Sequence, residues 1–271
     1  MADAPVITFL SDYGLADDFV GICHGVIARI CPPARVIDLT HGIARHDVRT
    51  GAVVLGEAMP YLPVGVHLAV VDPDVGARRR AVAIRCADGR LLVGPDNGLL
   101  WPAAQAAGGA VQAVDIAGSG FRLQPVSATF HGRDIFAPVA AALAAGAELA
   151  DAGEPVGLEA IVALDVPEAR RDGADLVAHV RYVDRFGNLQ LNVRHGDVAG
   201  TGLRLGHRAQ IAPARGEPRT IDYVRTFADA GRGELLLYED AQRRLALAVS
   251  HGDAAAELGL GVDDQLRIRA A

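Results

Sequence analysis

The first half of the chain alternates strand-like and helix-like segments, and this alternation restricts the possible folds more than any other feature. Short apolar runs at residues 6–10, 36–39, 67–71 and 91–93 are separated by stretches long enough for helices or crossover loops. Such an order predicts βαβ units and an α/β N-terminal domain with a mostly parallel, Rossmann-like sheet. After about residue 155 the segments become short strands separated by Gly and Asp turns. This second pattern predicts a smaller all-β, barrel-like C-terminal domain.

The change of pattern suggests two domains. We assign residues 1–160 to the α/β domain and residues 174–271 to the β domain, with a linker at about residues 161–173. A chain of 271 residues is long enough for two domains. Its hydrophobic content of 51% is sufficient for a substantial core.

The composition excludes several classes of function. All 26 basic residues are arginine, so the chain has no lysine for a Schiff base or a P-loop. The net charge of −7 argues against non-specific nucleic-acid binding. Cys23, Cys31 and Cys86 are scattered, as expected for reduced thiols. No secretory signal and no apolar window of membrane-spanning length is evident, so we expect a cytoplasmic protein without membrane contact.

The stretch from His67 to Cys86 carries the first candidate site. Its apolar strand ends at Asp72-Pro73, which places the Asp72 carboxylate at the carboxyl end of a predicted sheet strand. Ligands of open α/β sheets bind at that edge. Arg79 follows shortly, so the pair could hold an anion or a polarised water. An ordinary Asp-Pro turn with solvent-exposed arginines remains the alternative interpretation.

Other polar residues also follow predicted strands of the first half. Because the carboxyl ends of parallel strands share one edge of a sheet, these side chains can converge although they are distant in sequence. Taken singly, each residue fits a helix cap, a turn or a buried imidazole equally well. The residues concerned are Asp12, His41, His46, Asp96, Asn97 and His131.

A second candidate site lies in the segment 182–189 of the second half. Asp184 can bind an ammonium group, Phe186 offers a flat face to a base or sulfonium, and Asn188 can pair with a nucleobase edge. A β-turn with one buried aromatic side chain explains the same residues. The sequence pattern alone leaves both interpretations open.

Six motifs occur in an order that resembles a known family. They are ITFLSDYG, VIDLTHGI, VVDPDVG, PDNGLL, FHGRDIFAP and YVDRFGN. The closing segment LALAVSHGDAAAELGL adds a further similarity. Together they resemble the S-adenosylmethionine (SAM) hydroxide adenosyltransferases, also called adenosine-forming SAM hydrolases, which are relatives of the bacterial fluorinase and chlorinase.

The resemblance implies an architecture and an assignment of residues. The family combines an α/β domain with a β-barrel domain and forms homotrimers, with sites where one subunit's N-domain meets a neighbour's C-domain. Its catalytic Asp, Arg and His fall on Asp72, Arg79 and His131, and its ribose-binding carboxylate on Asp12. The further substrate-binding positions that the resemblance implies are His46, Asn97, Asp184, Phe186, Asn188 and Ser250.

Two differences from the halogenating relatives favour water as the nucleophile. Asp72 stands where the halogenases have a tyrosine, and the long halogenase insertion is missing before the PDNGLL motif. The implied reaction is hydrolysis of SAM to adenosine and methionine by in-line attack of water on ribose C5′. We expect Arg79 to stabilise the developing hydroxide. Either Asp72 or His131 would take the proton.

Three alternatives to this hydrolase remain at this stage. One is a halogenase of the same fold. Another is a metal-dependent hydrolase, with ligands among Asp12, His41, His46, Asp72 and His131, although no compact metal motif is present. The third is a sensor that binds an adenosyl compound without turnover. The preferred hydrolase needs neither a metal nor a cofactor, and SAM is its small-molecule substrate.

Overall fold

The computed structural model describes residues 4–271 of the chain, which divide into two compact units. The first extends to Leu164, and the second runs from Asp165 to Ala271. The elements of the first unit are β1 (Val6–Ser11), α1 (Phe19–Ile30), β2 (Arg35–Thr40), α2 (Val48–Ala58), β3 (Val66–Val70), β4 (Ala81–Cys86), β5 (Leu91–Pro95), α3 (Trp101–Ala106), β6 (Ala110–Asp115), α4 (Ala137–Ala144) and β7 (Glu154–Val156).

The seven strands of this unit form one mixed sheet in the order β2-β1-β3-β5-β4-β6-β7. The pairings of β1 with β2 and β3, and of β3 with β5, are parallel. The pairings of β4 with β5 and β6, and of β6 with β7, are antiparallel. The α/β class is confirmed, but the antiparallel half reduces the expected parallel character. A tight turn at Gly89 joins β4 to β5, and strands joined so closely must run antiparallel.

Alternating side chains of the sheet form a core on each face. On β3, Leu68 and Val70 pack on the side of α1 and α4, whereas Ala69 packs on the side of α2 and α3. Both faces of the strand are therefore packed against apolar side chains, which explains why its sequence is almost continuously hydrophobic. The predicted cysteine state agrees with this packing, since Cys23 and Cys86 are buried free thiols.

The second unit contains eight strands and one short helix. Their bounds are β8 (Arg170–Asp172), β9 (Asp175–Val183), β10 (Leu189–Arg194), β11 (Arg208–Pro213), β12 (Arg219–Tyr223), β13 (Leu235–Glu239), β14 (Arg244–Val249), α5 (Ala254–Leu258) and β15 (Gln265–Ala270). The strand order is β10-β14-β13-β12-β11-β15-β9-β8, and a further pairing of β10 with β9 closes a seven-stranded barrel. The predicted barrel is confirmed.

Two local features of this unit do not follow from its strand-and-turn pattern. The apolar residue Leu203 precedes the strand β11, which begins only at Arg208, because the chain turns at Gly206, where φ is +82°. The helix α5 was not predicted from the sequence. It begins at the cap Asp253, whose carboxylate accepts a hydrogen bond from the backbone N–H of Ala256. In the described part of the chain, every helix is too short or too polar to cross a bilayer.

Candidate active site

The sheet topology brings the catalytic candidates to one edge. β1 and β3 are parallel, so Asp12 and Asp72 follow their carboxyl ends at the same edge. β4 runs in the opposite direction, so Arg79, which precedes it, lies at that edge as well. If β4 were parallel to β5, its first residue, and Arg79 before it, would lie at the opposite edge of the sheet. The antiparallel hairpin is thus part of how the site is assembled.

A cavity of about 710 Å³ opens at this edge. Its lining includes four of the predicted site residues, Asp12, His46, Asp72 and His131, together with Tyr13. The volume lies within the range of about 300–1,000 Å³ that small-molecule sites occupy. The first unit therefore offers a cavity of suitable size with carboxylate and imidazole groups in its wall.

Asp72, Arg79 and His131 form one connected group. The Arg79 Nε–H lies 2.9 Å from Oδ1 and 3.0 Å from Oδ2 of Asp72, and Nη2 also donates to Oδ2. The same Nη2 lies 2.7 Å from His131 Nδ1. The exposed fractions of the Arg79 and Asp72 side chains are 8% and 5%, so the ion pair is largely withdrawn from water. Phe136 packs against the guanidinium at 5.2 Å.

The Arg79 contact determines the protonation of His131. A guanidinium can only donate, so Nδ1 must accept, and the neutral ring carries its proton on Nε2. Burial lowers the pKa of His131, and the positive charge of Arg79 lowers it further, against smaller raising effects that include Asp72. At neutral pH the imidazole is therefore uncharged.

Asp12 and His46 form another part of the cavity wall. The Asp12 Oδ2 accepts the backbone N–H of His46 at 2.9 Å, which ties the loop after β2 to the end of β1. His46 adopts a left-handed backbone with φ of +67°. The neighbouring Tyr13 is half-buried, and desolvation raises the pKa of its phenol well above the ordinary value. Tyr13 therefore remains neutral beside these carboxylates.

Two features that the sequence analysis did not single out hold the Asp72 and His131 loops together. Gly76 has φ of +79°, and a Cβ there would lie 2.5 Å from the carbonyl oxygen of Ala128. On the His131 side, the Asp134 carboxylate accepts the backbone N–H of Ser127 at 2.7 Å. Both residues lie inside the recognised motifs, but their contacts depend on loop packing, for which the sequence contains no periodic signal.

Gly76→Ala should therefore lower turnover as well as stability. The methyl group would push the Asp72 loop away from Ala128, and the Arg79–His131 contact would lengthen. Strain from the left-handed backbone adds roughly 1–2 kcal/mol to the loss in unfolding free energy. The measurements are steady-state kinetics and thermal unfolding of the purified variant.

Gly89→Ala is the matched control for this substitution. Gly89 also has a positive φ, +90°, but a Cβ there meets no atom within 4 Å. The Gly89→Ala variant should therefore have the same backbone strain as Gly76→Ala but should keep normal turnover. Equal turnover in the Gly76 and Gly89 variants would contradict the role assigned to the Gly76 contact.

Asn97 occupies a different position from the other predicted residues of the first unit. Its Nδ2 donates to the carbonyl of Val71 at 2.9 Å, and its Oδ1 accepts the N–H of Leu99 at 3.2 Å. It is absent from the described lining of the cavity. Its contacts support the strand end that precedes Asp72 rather than presenting a free amide to a ligand.

Three of the four predicted residues of the second unit lie in one turn. Asp184 Oδ1 accepts the backbone N–H groups of Phe186 and Asn188 at 2.8 and 3.0 Å, and Oδ2 accepts Asn188 Nδ2 at 2.7 Å. Phe186 is 66% exposed, in contrast to the buried aromatic of the alternative interpretation. Ser250 is buried, and its hydroxyl lies 3.4 Å from the carbonyl of Phe227.

The ligand set considered for a metal-dependent hydrolase does not gather at one point. Across residues 4–271, a single group of three His, Cys, Asp or Glu side chains has ligand atoms within 4.8 Å of one another. That group is His24, Asp38 and His41. It shares His41 with the earlier set but neither Asp72 nor His131.

Comparison with known proteins identifies the family. Residues 7–153 match the N-terminal domain, and residues 178–267 the C-terminal domain, of SAM hydroxide adenosyltransferases. An (R)-S-adenosyl-L-methionine hydrolase of Salinispora tropica is 50% identical over 270 residues, covering 100% of each chain. A fluorinase of an Actinoplanes species is 29% identical over 272 residues, covering 90% of each. The crystal structure of a conserved protein from Thermotoga maritima matches with a TM-score of 0.90 and 32% identity, covering 97% of this chain and 99% of that one. From its six motifs, its two domain matches and this structural similarity, the chain is a member of the SAM hydroxide adenosyltransferase family.

Proposed function

We propose that the protein hydrolyses the (R) epimer of SAM to adenosine and methionine. The observation that carries the proposal is the contact of Asp72, Arg79 and His131 beside the cavity. This arrangement supplies a carboxylate, an imidazole N–H and a fixed positive charge around one position for a water molecule. The names of the Salinispora relatives specify the (R) epimer at sulfur. Attack on C5′ releases a neutral thioether from a sulfonium, so the leaving group needs no general acid.

Asp72 is the better candidate for the proton acceptor. Neutral His131 has its Nδ1 lone pair directed to Arg79 and a proton on Nε2, so it can orient water as a donor but cannot take a proton there. A carboxylate has about four acceptor sites, of which Arg79 uses three. The remaining lone pair of Asp72 can accept a proton from water.

In this proposal, Arg79 acts on the water through Asp72 and His131, which lie between it and the cavity. It does not belong to the described lining of the cavity, whereas Asp72 and His131 do. Its charge favours a developing hydroxide without direct contact, and its fork holds both partners in place. Alignment in a closed site can supply roughly 7–11 kcal/mol, compared with about 3–5 kcal/mol for general-base help. Positioning is therefore the larger contribution.

In this proposal, the α/β domain of one copy and the β domain of a neighbouring copy both bind the substrate. The second oxygen of Asp12 can accept a ribose hydroxyl, while Oδ2 retains its bond to His46. Asp184, Phe186 and Asn188 of a neighbouring copy would contact the adenine or methionine portion, as expected for a homotrimer with shared sites. The carboxylate of Asp184 also accepts the backbone N–H groups of Phe186 and Asn188, which fixes the turn that carries these contacts. A cytoplasmic location fits a SAM-consuming enzyme and stays a prediction.

Incubation with separated SAM epimers in ¹⁸O-water tests the reaction. We expect the (R) epimer to yield adenosine labelled at the 5′ oxygen and unlabelled methionine. Mass spectrometry of both products measures this result, and reactions without enzyme give the spontaneous background.

The same experiment separates the alternative functions. With added chloride, 5′-chloro-5′-deoxyadenosine in place of adenosine would indicate a halogenase. Loss of adenosine after chelation, with recovery on adding zinc or manganese, would indicate a metal-dependent hydrolase. Tight SAM binding without either product would indicate a sensor and refute the proposed reaction.

A further inference from the structure

Three metal-ligating side chains meet beside the active-site cavity and take no part in the proposed reaction. Asp38 on β2 places its Oδ1 2.9 Å from His24 Nε2, and His24 belongs to α1. The same oxygen lies 3.0 Å from the Nε2 of His41, which follows β2. Three ligand atoms from two elements thus converge on one point.

His41 has a buried nitrogen without a hydrogen-bond partner among the described residues. Its side chain is 2% exposed, and its Nε2 makes no aligned hydrogen bond although the Asp38 oxygen is near. A buried polar atom without a partner carries a desolvation cost of about 1–3 kcal/mol. The position of this atom beside two further ligands indicates what the partner would be.

The other ring nitrogen of His41 has a partner that permits the tautomer needed for metal binding. Nδ1 lies 2.8 Å from the Ser11 hydroxyl, which also accepts the backbone N–H of Tyr13 at 3.3 Å. A hydroxyl has two acceptor lone pairs, so it can accept from both groups. In the tautomer that donates Nδ1–H to Ser11, the Nε2 lone pair is directed toward Asp38, and a cation between these two atoms would bind both. Histidine ligands commonly donate their second N–H in this way.

The spacing fits a first-row transition metal. With metal–ligand bonds of about 2.0–2.1 Å, neighbouring ligand atoms lie about 2.9 Å apart around an octahedral ion and about 3.3 Å apart around a tetrahedral one. The observed 2.9 and 3.0 Å agree with the octahedral value, and all three ligand atoms lie within 4.8 Å of one another. Two imidazoles and one carboxylate suit Zn²⁺, Fe²⁺ or Co²⁺ better than Mg²⁺ or Ca²⁺, which prefer oxygen ligands.

We propose that His24, Asp38 and His41 form a site for a divalent transition-metal ion, distinct from the Asp72–Arg79–His131 group. Solvent can supply the ion and complete its coordination, since the His24 and Asp38 side chains are 35% and 42% exposed. The ion joins α1 to the end of β2. His41 also lines the cavity, and its carbonyl accepts the N–H of Gly14 at 2.8 Å, so a bound ion restrains the cavity wall.

Cobalt binding to the full-length, tag-free protein tests this site. After chelation and dialysis, we expect Co²⁺ titration to saturate at one ion per chain, with visible d–d absorption. His24→Gln and Asp38→Asn should each weaken binding by at least about 10-fold. Zn²⁺ should raise the Tm of the unsubstituted protein more than that of either variant. Circular dichroism establishes that each variant is folded.

His195→Gln is the matched control, because His195 is an exposed imidazole beside a single carboxylate, Glu239. It should retain the full uptake of cobalt. The proposal is overturned if the unsubstituted protein takes up no cobalt, if His24→Gln and Asp38→Asn bind it normally, or if His195→Gln abolishes uptake. Metal content and Tm are read without substrate, so the outcome is independent of the proposed hydrolysis.

Discussion

Asp72→Asn should lower kcat for SAM hydrolysis by about 10²- to 10⁴-fold, the range expected for loss of a general base. Asparagine has nearly the same size, but it has no charge and only one acceptor oxygen. Its amide N–H groups would face the donors of Arg79, which now makes three contacts with the carboxylate. Substrate binding through Asp12 is left in place, so KM should change by only a few-fold.

The same substitution also removes the counter-charge of a guanidinium that is only 8% exposed. Breaking one side of a buried ion pair costs about 3–5 kcal/mol of stability. Kinetics should therefore be measured well below the Tm of the variant, with circular dichroism as the check on folding. Single-turnover experiments with bound SAM would separate the chemical step from product release.

Asp74→Asn provides the matched control in the same loop. Asp74 is exposed and only two residues from Asp72, so the substitution makes the same chemical change without touching Arg79. It should keep normal kcat and Tm. If Asp72→Asn turned over SAM as fast as Asp74→Asn does, the Asp72 carboxylate would not be the proton acceptor.

The members of the Asp72–Arg79–His131 group could be selected from the sequence, but their arrangement could not. The family resemblance implies these three residues, and the structure brings them into contact. The sequence predicted that Arg79 stabilises a developing hydroxide, but it did not show that Arg79 lies outside the described lining of the cavity. This position depends on the reversed direction of β4 and on the loop packing at Gly76, neither of which has a periodic sequence signal.

Local hydrogen bonds show why a binding role could not be assigned from the sequence pattern alone. Asn97 and Asp184, both predicted to bind substrate, also accept hydrogen bonds from nearby backbone N–H groups. Asn and Asp favour turns because of such contacts, so sequence alone cannot distinguish a turn-forming side chain from a ligand-binding one. The His24–Asp38 contact joins a helix to a strand and needs the packed structure to become visible.

Acid should destabilise the first unit through His67, which lies at 0% exposure in the middle of β3. Burial lowers its pKa to about 4, and the charge of Arg90 contributes in the same direction. The folded-state pKa lies below the ordinary 6.5, so between these values the unfolded chain binds a proton that the folded chain does not. The contribution of the neutral His67 to the free energy of unfolding is complete above pH 6.5 and is lost as the pH falls toward 4. From pH 7.5 to 5 the expected loss is about 2 kcal/mol, at 1.36 kcal/mol per pKa unit.

His67→Asn should remove most of this pH dependence, because asparagine does not titrate and can still bond to Thr8, whose Oγ1 lies 2.9 Å from His67 Nδ1. Urea unfolding followed by the fluorescence of Trp101, the single tryptophan, reports on this unit. His207→Asn, at an exposed position, should keep the pH dependence of the unsubstituted protein. If the free energy of unfolding of His67→Asn still fell by the full amount between pH 7.5 and 5, the acid sensitivity would belong to other groups. Its disappearance would assign the acid sensitivity to protonation of His67 in the sheet that positions Asp72.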